Sequence, residues 1–197
     1  FPLVESEDGN QLAFVKCGSL YSCNIANSGC ARIFSFYDEN NNDWRTRNNK
    51  HDIRILSIDE SGNISFMVYG YMNRGNHEGE TGIMVCYYDG VANTVEETLF
   101  IPYNKSFEML RSNVEKLSYL NRDGEFFLYL EGAIFSINLN TLEYEMIAEG
   151  MTDQTFQVSE DHTLVVRMKG TDVLNAKELE LMNLSTGERS LVRVGEN

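Results

Sequence analysis

The sequence has only two prolines, one tryptophan and three histidines, and sixteen basic residues against thirty acidic ones. So few prolines beside fifteen glycines argue against a linker-like or disordered polymer. No apolar run approaches the roughly 20 residues a helix needs to cross a bilayer, so no membrane insertion is expected within this chain. The three histidines show no His-x-x-x-His spacing, and the four cysteines include no Cys-x-x-Cys pair, so no zinc box is present. A Gly-x-Ser-x-Gly nucleophile elbow is also missing, which removes that hydrolase chemistry from the chain. The shortage of Lys and Arg leaves a formal charge of −14. Such a balance repels phosphate backbones and anionic membranes, and it excludes nucleic acid as an expected partner. It suits solubility, cation binding or a basic partner. Phe1-Pro2-Leu3-Val4 carries no initiator Met and no signal-peptide pattern, and it reads as the start of a mature product or an excised piece.

What is present is repetition. An acidic turn followed by an alternating strand occurs four times: Ser6–Asn10 before Gln11–Val15, Asp59–Asn63 before Ile64–Val68, Asn121–Gly124 before Glu125–Tyr129, and Ser159–His162 before Thr163–Arg167. Asp-Gly, Ser-Gly and Asn supply the positive φ of tight hairpins, and β-branched or aromatic residues flank them. A second hairpin follows each. Its turns fall at Ala26–Gly29, near Asp89-Gly90, at Asn140-Thr141 and at Ser185–Glu188. Strand, turn, strand, loop, strand, turn, strand is the pattern of a propeller blade. The reading is all-β: β-propeller blades, four consecutive four-stranded antiparallel meanders in one propeller-like domain, with approximate blades 1–36, 52–101, 114–149 and 154–194. Only Ser106–Leu117 has a helix-like composition, enough for at most a short surface helix.

The turn landmarks Gly9, Gly62, Gly124 and His162 lie 53, 62 and 38 residues apart. Propeller repeats run at roughly 40–50 residues, so the excess sits in insertions. These are Tyr37–Lys50, Asn73–Thr81, Pro102–Asn113 and Gly170–Ala176. In a meander the b–c and d–a connections share one end of the strands, and all four insertions are of those kinds. Insertions collected on one face are where repeat proteins bind. No spare closing strand is evident, which points to an incomplete or excised part of a larger propeller, with a closed four-bladed ring as the alternative.

The segment Ser6-Glu7-Asp8-Gly9-Asn10-Gln11-Leu12-Ala13-Phe14 resembles the repeat of TolB-type propellers, whose blades carry a Ser-Pro-Asp-Gly-Lys-x-Leu-Ala-Phe core. Leu20-Tyr21 resembles the strand that follows, and Asn183-Leu184-Ser185-Thr186-Gly187-Glu188 resembles a later Asp-Leu-x-Thr-Gly-Glu hairpin. The resemblance is close in the first and fourth units. Glu7 and Glu160 replace the usual Pro, and Asp161-His162 replaces Asp-Gly. These motifs specify a blade and no activity. Related propellers occur in periplasmic binding proteins, surface proteins and the gating domains of serine peptidases.

Within this frame the binding candidates are Trp44 with Arg45, Arg47 and Tyr37 in the first insertion, and Arg74 and His77 in the second. Trp and Arg dominate interface hot spots. Oxygen ligands at Asp38, Asn40, Asn42 and Asp43 suit an irregular Ca²⁺ site. An EF-type loop is excluded, because Asp43 stands where its glycine belongs and Asn49 where its bidentate Glu belongs. The leading reading of this segment is a solvated Asn/Asp loop, with the Ca²⁺ site as the alternative, and no cofactor is expected. The acid pairs Glu96-Glu97 and Glu143 with Glu145, and the Asn-x-Ser sequons at Asn63, Asn104 and Asn183, occur at chance level in so acidic and Asn-rich a chain. Cys17, Cys23, Cys30 and Cys86 read as free packed thiols, since the hairpin register above sets no pair directly opposite. Cys17–Cys23 and Cys23–Cys30 bridges are the alternatives.

No catalytic residue is assigned. The expected function is a non-catalytic recognition or scaffold module, extracytoplasmic, binding a protein, peptide or glycan through its long-loop face. The alternative is an accessory propeller of a multidomain peptidase or glycosidase whose catalytic domain lies outside this chain. Open blade edges would favour dimerisation.

Overall fold

The computed structural model describes residues 3–35, 51–72, 76–121, 123–151, 156–168 and 178–193. The first blade holds β1 (Leu3–Glu5), β2 (Gln11–Lys16), β3 (Ser19–Asn24) and β4 (Gly29–Ser35). The second holds β5 (His51–Ile58), β6 (Ile64–Tyr71), β7 (Thr81–Asp89) and β8 (Thr94–Pro102). After α1 (Phe107–Lys116), the third holds β9 (Ser118–Leu120), β10 (Glu125–Leu130), β11 (Ala133–Asn138) and β12 (Tyr144–Ala148). The fourth holds β13 (Phe156–Val158), β14 (Leu164–Met168), β15 (Glu178–Asn183) and β16 (Arg189–Arg193). Each blade is a four-stranded sheet with its strands in sequence order. All pairings are antiparallel. These are four consecutive meanders, the blade pattern read from the sequence.

The acidic turns explain why the strands reverse where they do. Position four of each turn is left-handed: Gly9 at φ 71°, Gly62 at 80°, Gly124 at 79° and His162 at 60°. Two side-chain solutions hold the turn. In the first blade the Ser6 hydroxyl donates to Asp8 Oδ1 at 2.6 Å and accepts from Gln11 N at 2.9 Å, while Asp8 accepts from Asn10 N. The fourth repeats this with Ser159, Asp161, Thr163 and Leu164. In the second and third, Asp59 and Asn121 stand at the Ser position, and one side-chain oxygen accepts two backbone N–H groups, from Ser61 and Asn63 or from Asp123 and Glu125. Both are local substitutes for a backbone turn.

The contacts group the chain into two compact units, Phe1–Arg111 and Ser112–Asn197. In the first, Ala13, Val15, Leu20 and Phe34 pack with Ile53, Ile55, Phe66 and Met84. The Phe34 and Phe66 rings lie 5.2 Å apart. In the second, Leu117, Phe127, Tyr129 and Ile134 pack with Phe156, Val165 and Met182. Close approach within β7–β8 demands glycine at position 82, where an added Cβ would sit 2.4 Å from the Ile101 carbonyl oxygen.

One expectation is corrected. Cys23 and Cys30 form a disulfide, while Cys17 and Cys86 keep their thiols. Strand β4 begins at Gly29, not Ala31, so Cys23 faces Cys30 directly with Cα atoms 4.0 Å apart. A small slip in an assumed hairpin register changes every opposed pair. The helix-like stretch forms a short surface helix: α1 runs ten residues, capped by Ser106, with Leu110 and Val114 buried on its inner face and Glu108, Met109, Arg111 and Glu115 exposed.

Candidate functional site

The two ends of each blade differ in kind. At one end lie the paired a–b and c–d turns, locked to each other. Ile25 N donates to the Asn10 carbonyl, Leu139 N to that of Gly124 and Leu184 N to that of Thr163. In the second blade Gly90 N donates to Asn63 Oδ1 instead, at 2.9 Å. Asn24, Asp89, Asn138 and Asn183 each close the last strand turn by accepting backbone N–H groups. Asn63 and Asn183 therefore serve turn geometry, whatever their sequon context.

Between the first and second blades this end opens into a groove of about 330 Å³. Gln11, Ser22, Asn24, Gly29, Cys30 and Ala31 line one side, and Ser61, Gly62, Tyr88 and Gly90 the other. No charged side chain contributes to it. The Tyr88 phenol donates to Asn93 Oδ1 at 3.0 Å, and burial, with the Asp89 charge second, raises its pKa, so it stays neutral. The strand pairing shows where the groove comes from. Gln11, Ala13 and Val15 share one face with their partners Asn24, Ser22 and Leu20. Ala13, Val15 and Leu20 belong to the core, and the same face turns polar at the turn end. Position two after the left-handed residue is Ile64, Phe126 or Leu164 in the other blades. In the first blade it is Gln11. The sequence reading passed over Gln11, Ser22, Asn24 and Ser61, although aligning the repeats shows the substitution.

At the other end, the first and third blades turn tightly at Cys17-Gly18 and Glu131-Gly132, whereas the second extends. Beyond β6 and β7, Met72 N donates to the Glu80 carbonyl at 2.8 Å and Gly79 N to that of Met72 at 2.9 Å. The His77 ring stacks on Phe100 at 3.8 Å between centroids, and its Nδ1 meets Glu80 Oε1 at 3.1 Å. Asn76 donates to Glu97 at 3.4 Å. His77 thus fastens the insertion down. Tyr71 and Met109 are exposed, and Phe107 at the start of α1 stacks near Tyr69, with centroids 6.4 Å apart. Tyr37, Trp44, Arg45, Arg47 and Arg74 lie outside the described residues, as do Asp38, Asn40, Asn42 and Asp43.

A second cleft, of about 590 Å³, lies along the third blade. Glu125, Glu143 and Glu145 line it with Ser136, Asn138, Leu142 and Tyr144. Ser136 donates a short hydrogen bond to Glu125. Among the described residues, no group of three or more His, Cys, Asp or Glu side chains is placed to hold a metal ion. In the fourth blade Arg167 and Glu180 pair across β14 and β15, with Nε to Oε2 at 2.5 Å, a half-buried contact that ties the sheet.

Solved structures bear on the blades alone. TolB from Acinetobacter baumannii is similar over 98% of this chain and 43% of its own, at 15% identity and a TM-score of 0.48. The chain resembles TolB-type propellers. Porphyromonas gingivalis dipeptidyl peptidase 4 is similar over 99% of this chain and 33% of its own, at 10% identity and a TM-score of 0.48. An oligogalacturonate lyase from Vibrio parahaemolyticus is similar over 97% of this chain and 64% of its own, at 12% identity and a TM-score of 0.41. The chain thus spans less than two thirds of the length of each. No family model and no curated protein matches it.

Proposed function

We propose that this propeller-blade chain is a non-catalytic recognition module that binds a protein, peptide or glycan through the end carrying its insertions. The observation that supports this best is the second-blade insertion. It is a fastened platform, held by strand-like hydrogen bonds, the His77–Phe100 stack and the Asn76–Glu97 contact, and exposed Tyr71 and Met109 belong to the same end. Aromatic residues and Met are enriched at interface cores, and a rigid presentation lowers the entropy lost on binding. Trp44, Arg45, Arg47, Tyr37 and Arg74 belong to the same insertions and are assigned to the same surface. The Cys23–Cys30 disulfide supports an extracytoplasmic setting, because such bonds persist in oxidising compartments.

The test uses peptide and glycan arrays probed with the wild-type chain, Trp44→Ala, Tyr71→Ala and a variant with a two-residue turn in place of 73–79. Ligands selected by the wild type are expected to lose about tenfold or more in affinity on either aromatic substitution, the scale of a hot-spot residue. Selected ligands that bind all three variants unchanged would overturn the reading.

A further inference from the structure

We propose that the groove between the first and second blades is a saccharide site that takes an uncharged sugar through Gln11, Ser22, Asn24 and Ser61. It lies at the turn end, opposite the insertions, and stands independently of the loop-end reading.

The case begins with a polar residue in an apolar position. Ile64 and Phe126, which correspond to Gln11, are fully buried and Leu164 is half-buried, while the β6 and β10 residues two further on, Phe66 and Leu128, are fully buried. Cys86, Phe135 and Leu181, the partners across the strand, correspond to Ser22. The first blade therefore replaces two apolar neighbours with a half-buried amide and a half-buried hydroxyl on one face, at the margin of the core. Gln11, Ser22 and Asn24 are half-buried and Ser61 is exposed, so their polar groups face the open groove, where a ligand would take the place of water. Among the described residues, no hydrogen bond engages the Gln11 amide, the Ser22 hydroxyl or the Ser61 hydroxyl. Asn24 spends its oxygen on Asn27 N at 3.1 Å, which leaves its NH₂ to donate. The Gln11 side chain reaches across to the second blade, its Oε1 lying 3.4 Å from where a Gly62 Cβ would be. The uncommitted groups thus converge from both blades.

Their chemistry selects among ligands. A charged ligand would leave water for a lining that offers no counter-charge, and an anion would also meet a chain of −14. An apolar ligand would leave four polar side chains unpaired, at about 1–3 kcal/mol each in general. A peptide backbone is best met by an ordered row of main-chain groups at a sheet edge. Here side chains supply the polar groups. A sugar hydroxyl both donates and accepts, which suits a mixed lining of amides and hydroxyls. Gly29, Gly62 and Gly90 remove side-chain bulk around it, and an added Cβ at Gly90 would come within 2.8 Å of the Gly62 carbonyl oxygen. The volume, about 330 Å³, sits at the small end of ligand sites, which typically run ~300–1,000 Å³.

The experiment is an NMR titration of the isotope-labelled chain at millimolar concentrations of neutral cello-, malto-, manno- and chito-oligosaccharides. An oligouronate and an uncharged Ser/Asn/Gln-rich peptide serve as comparisons. At least one neutral saccharide is expected to shift the amide signals of Gln11, Asn24, Gly62 and Gly90, with the oligouronate weaker. Gln11→Leu, which restores the apolar residue type of the other blades and should fold at least as well, is expected to weaken binding about tenfold; Ser61→Ala should weaken it less. The proposal is overturned if no saccharide shifts these amides, if Gln11→Leu binds like the wild type, or if only the peptide produces the shifts. Shifts confined to Tyr71 and His77 would also overturn it, while supporting the loop-end reading.

Discussion

Leu142 occupies a backbone conformation that a leucine side chain resists. Its φ is 59°, and its N–H closes the third blade's last turn on the Asn138 carbonyl at 2.8 Å. The fourth blade makes the same bond from Gly187 to Asn183 at 2.8 Å, with φ at 70° and nothing near the position of an added Cβ. An L-residue in this region pays roughly 1–2 kcal/mol, and glycine's greater freedom in the unfolded chain returns about 0.5–1 of that. Leu142 is 44% exposed, so little packing is lost with its side chain. Leu142→Gly is therefore expected to stabilise the third blade by about 0.5–1 kcal/mol. Urea unfolding is the measurement, and a midpoint that falls would show that the side chain does packing work the turn geometry does not reveal.

At the scale of elements, the Ser-x-Asp turns of the first and fourth blades are ionisation-dependent. The Ser6 hydroxyl, then the Asn10 backbone N–H and side chain, hold the Asp8 carboxyl below its ordinary 3.8. Ser159, then the Thr163 backbone N–H and hydroxyl, do the same for Asp161. A carboxyl depressed in the folded state contributes stability that is present above its unfolded pKa and is lost as pH falls through the folded value. These turns should hold through neutral and mildly acid pH and loosen below about pH 4. In an NMR titration Ser6→Ala is expected to raise the Asp8 pKa toward 3.8 and leave Asp161 unmoved. The turns were readable in the sequence because they are local: Gly9, Gly62 and Gly124 mark the left-handed position, and period-two strands follow. The disulfide was not, because the opposition of Cys23 and Cys30 depends on where β4 starts, and composition does not set that. The groove was hidden for another reason. Gln11 alternates normally within its own strand, and it is conspicuous only beside Ile64, Phe126 and Leu164 or across the gap to Gly62.

For the whole molecule the decisive quantity is a formal charge of −14, which the compact state must hold together. The Tyr87 phenol reports the local field: burial raises its pKa first, and the charges of Asp59, Asp89 and Glu96 raise it further. Repulsion among such surface carboxylates opposes folding, and salt screens it, with a Debye length of about 30 Å at 0.01 M and about 10 Å at 0.1 M. Added NaCl is therefore expected to raise the thermal midpoint by a few degrees between these two concentrations, which corresponds to about 1 kcal/mol for a chain of this size. Glu96→Gln, at an exposed site, should shrink that increment and lower the Tyr87 pKa together. Equal osmolarities of sucrose separate screening from the general effect of excluded solutes. A midpoint that stays flat or falls with NaCl would mean that favourable ion pairs, such as Arg167 with Glu180, outweigh the repulsion, and that the acidic surface costs the fold nothing.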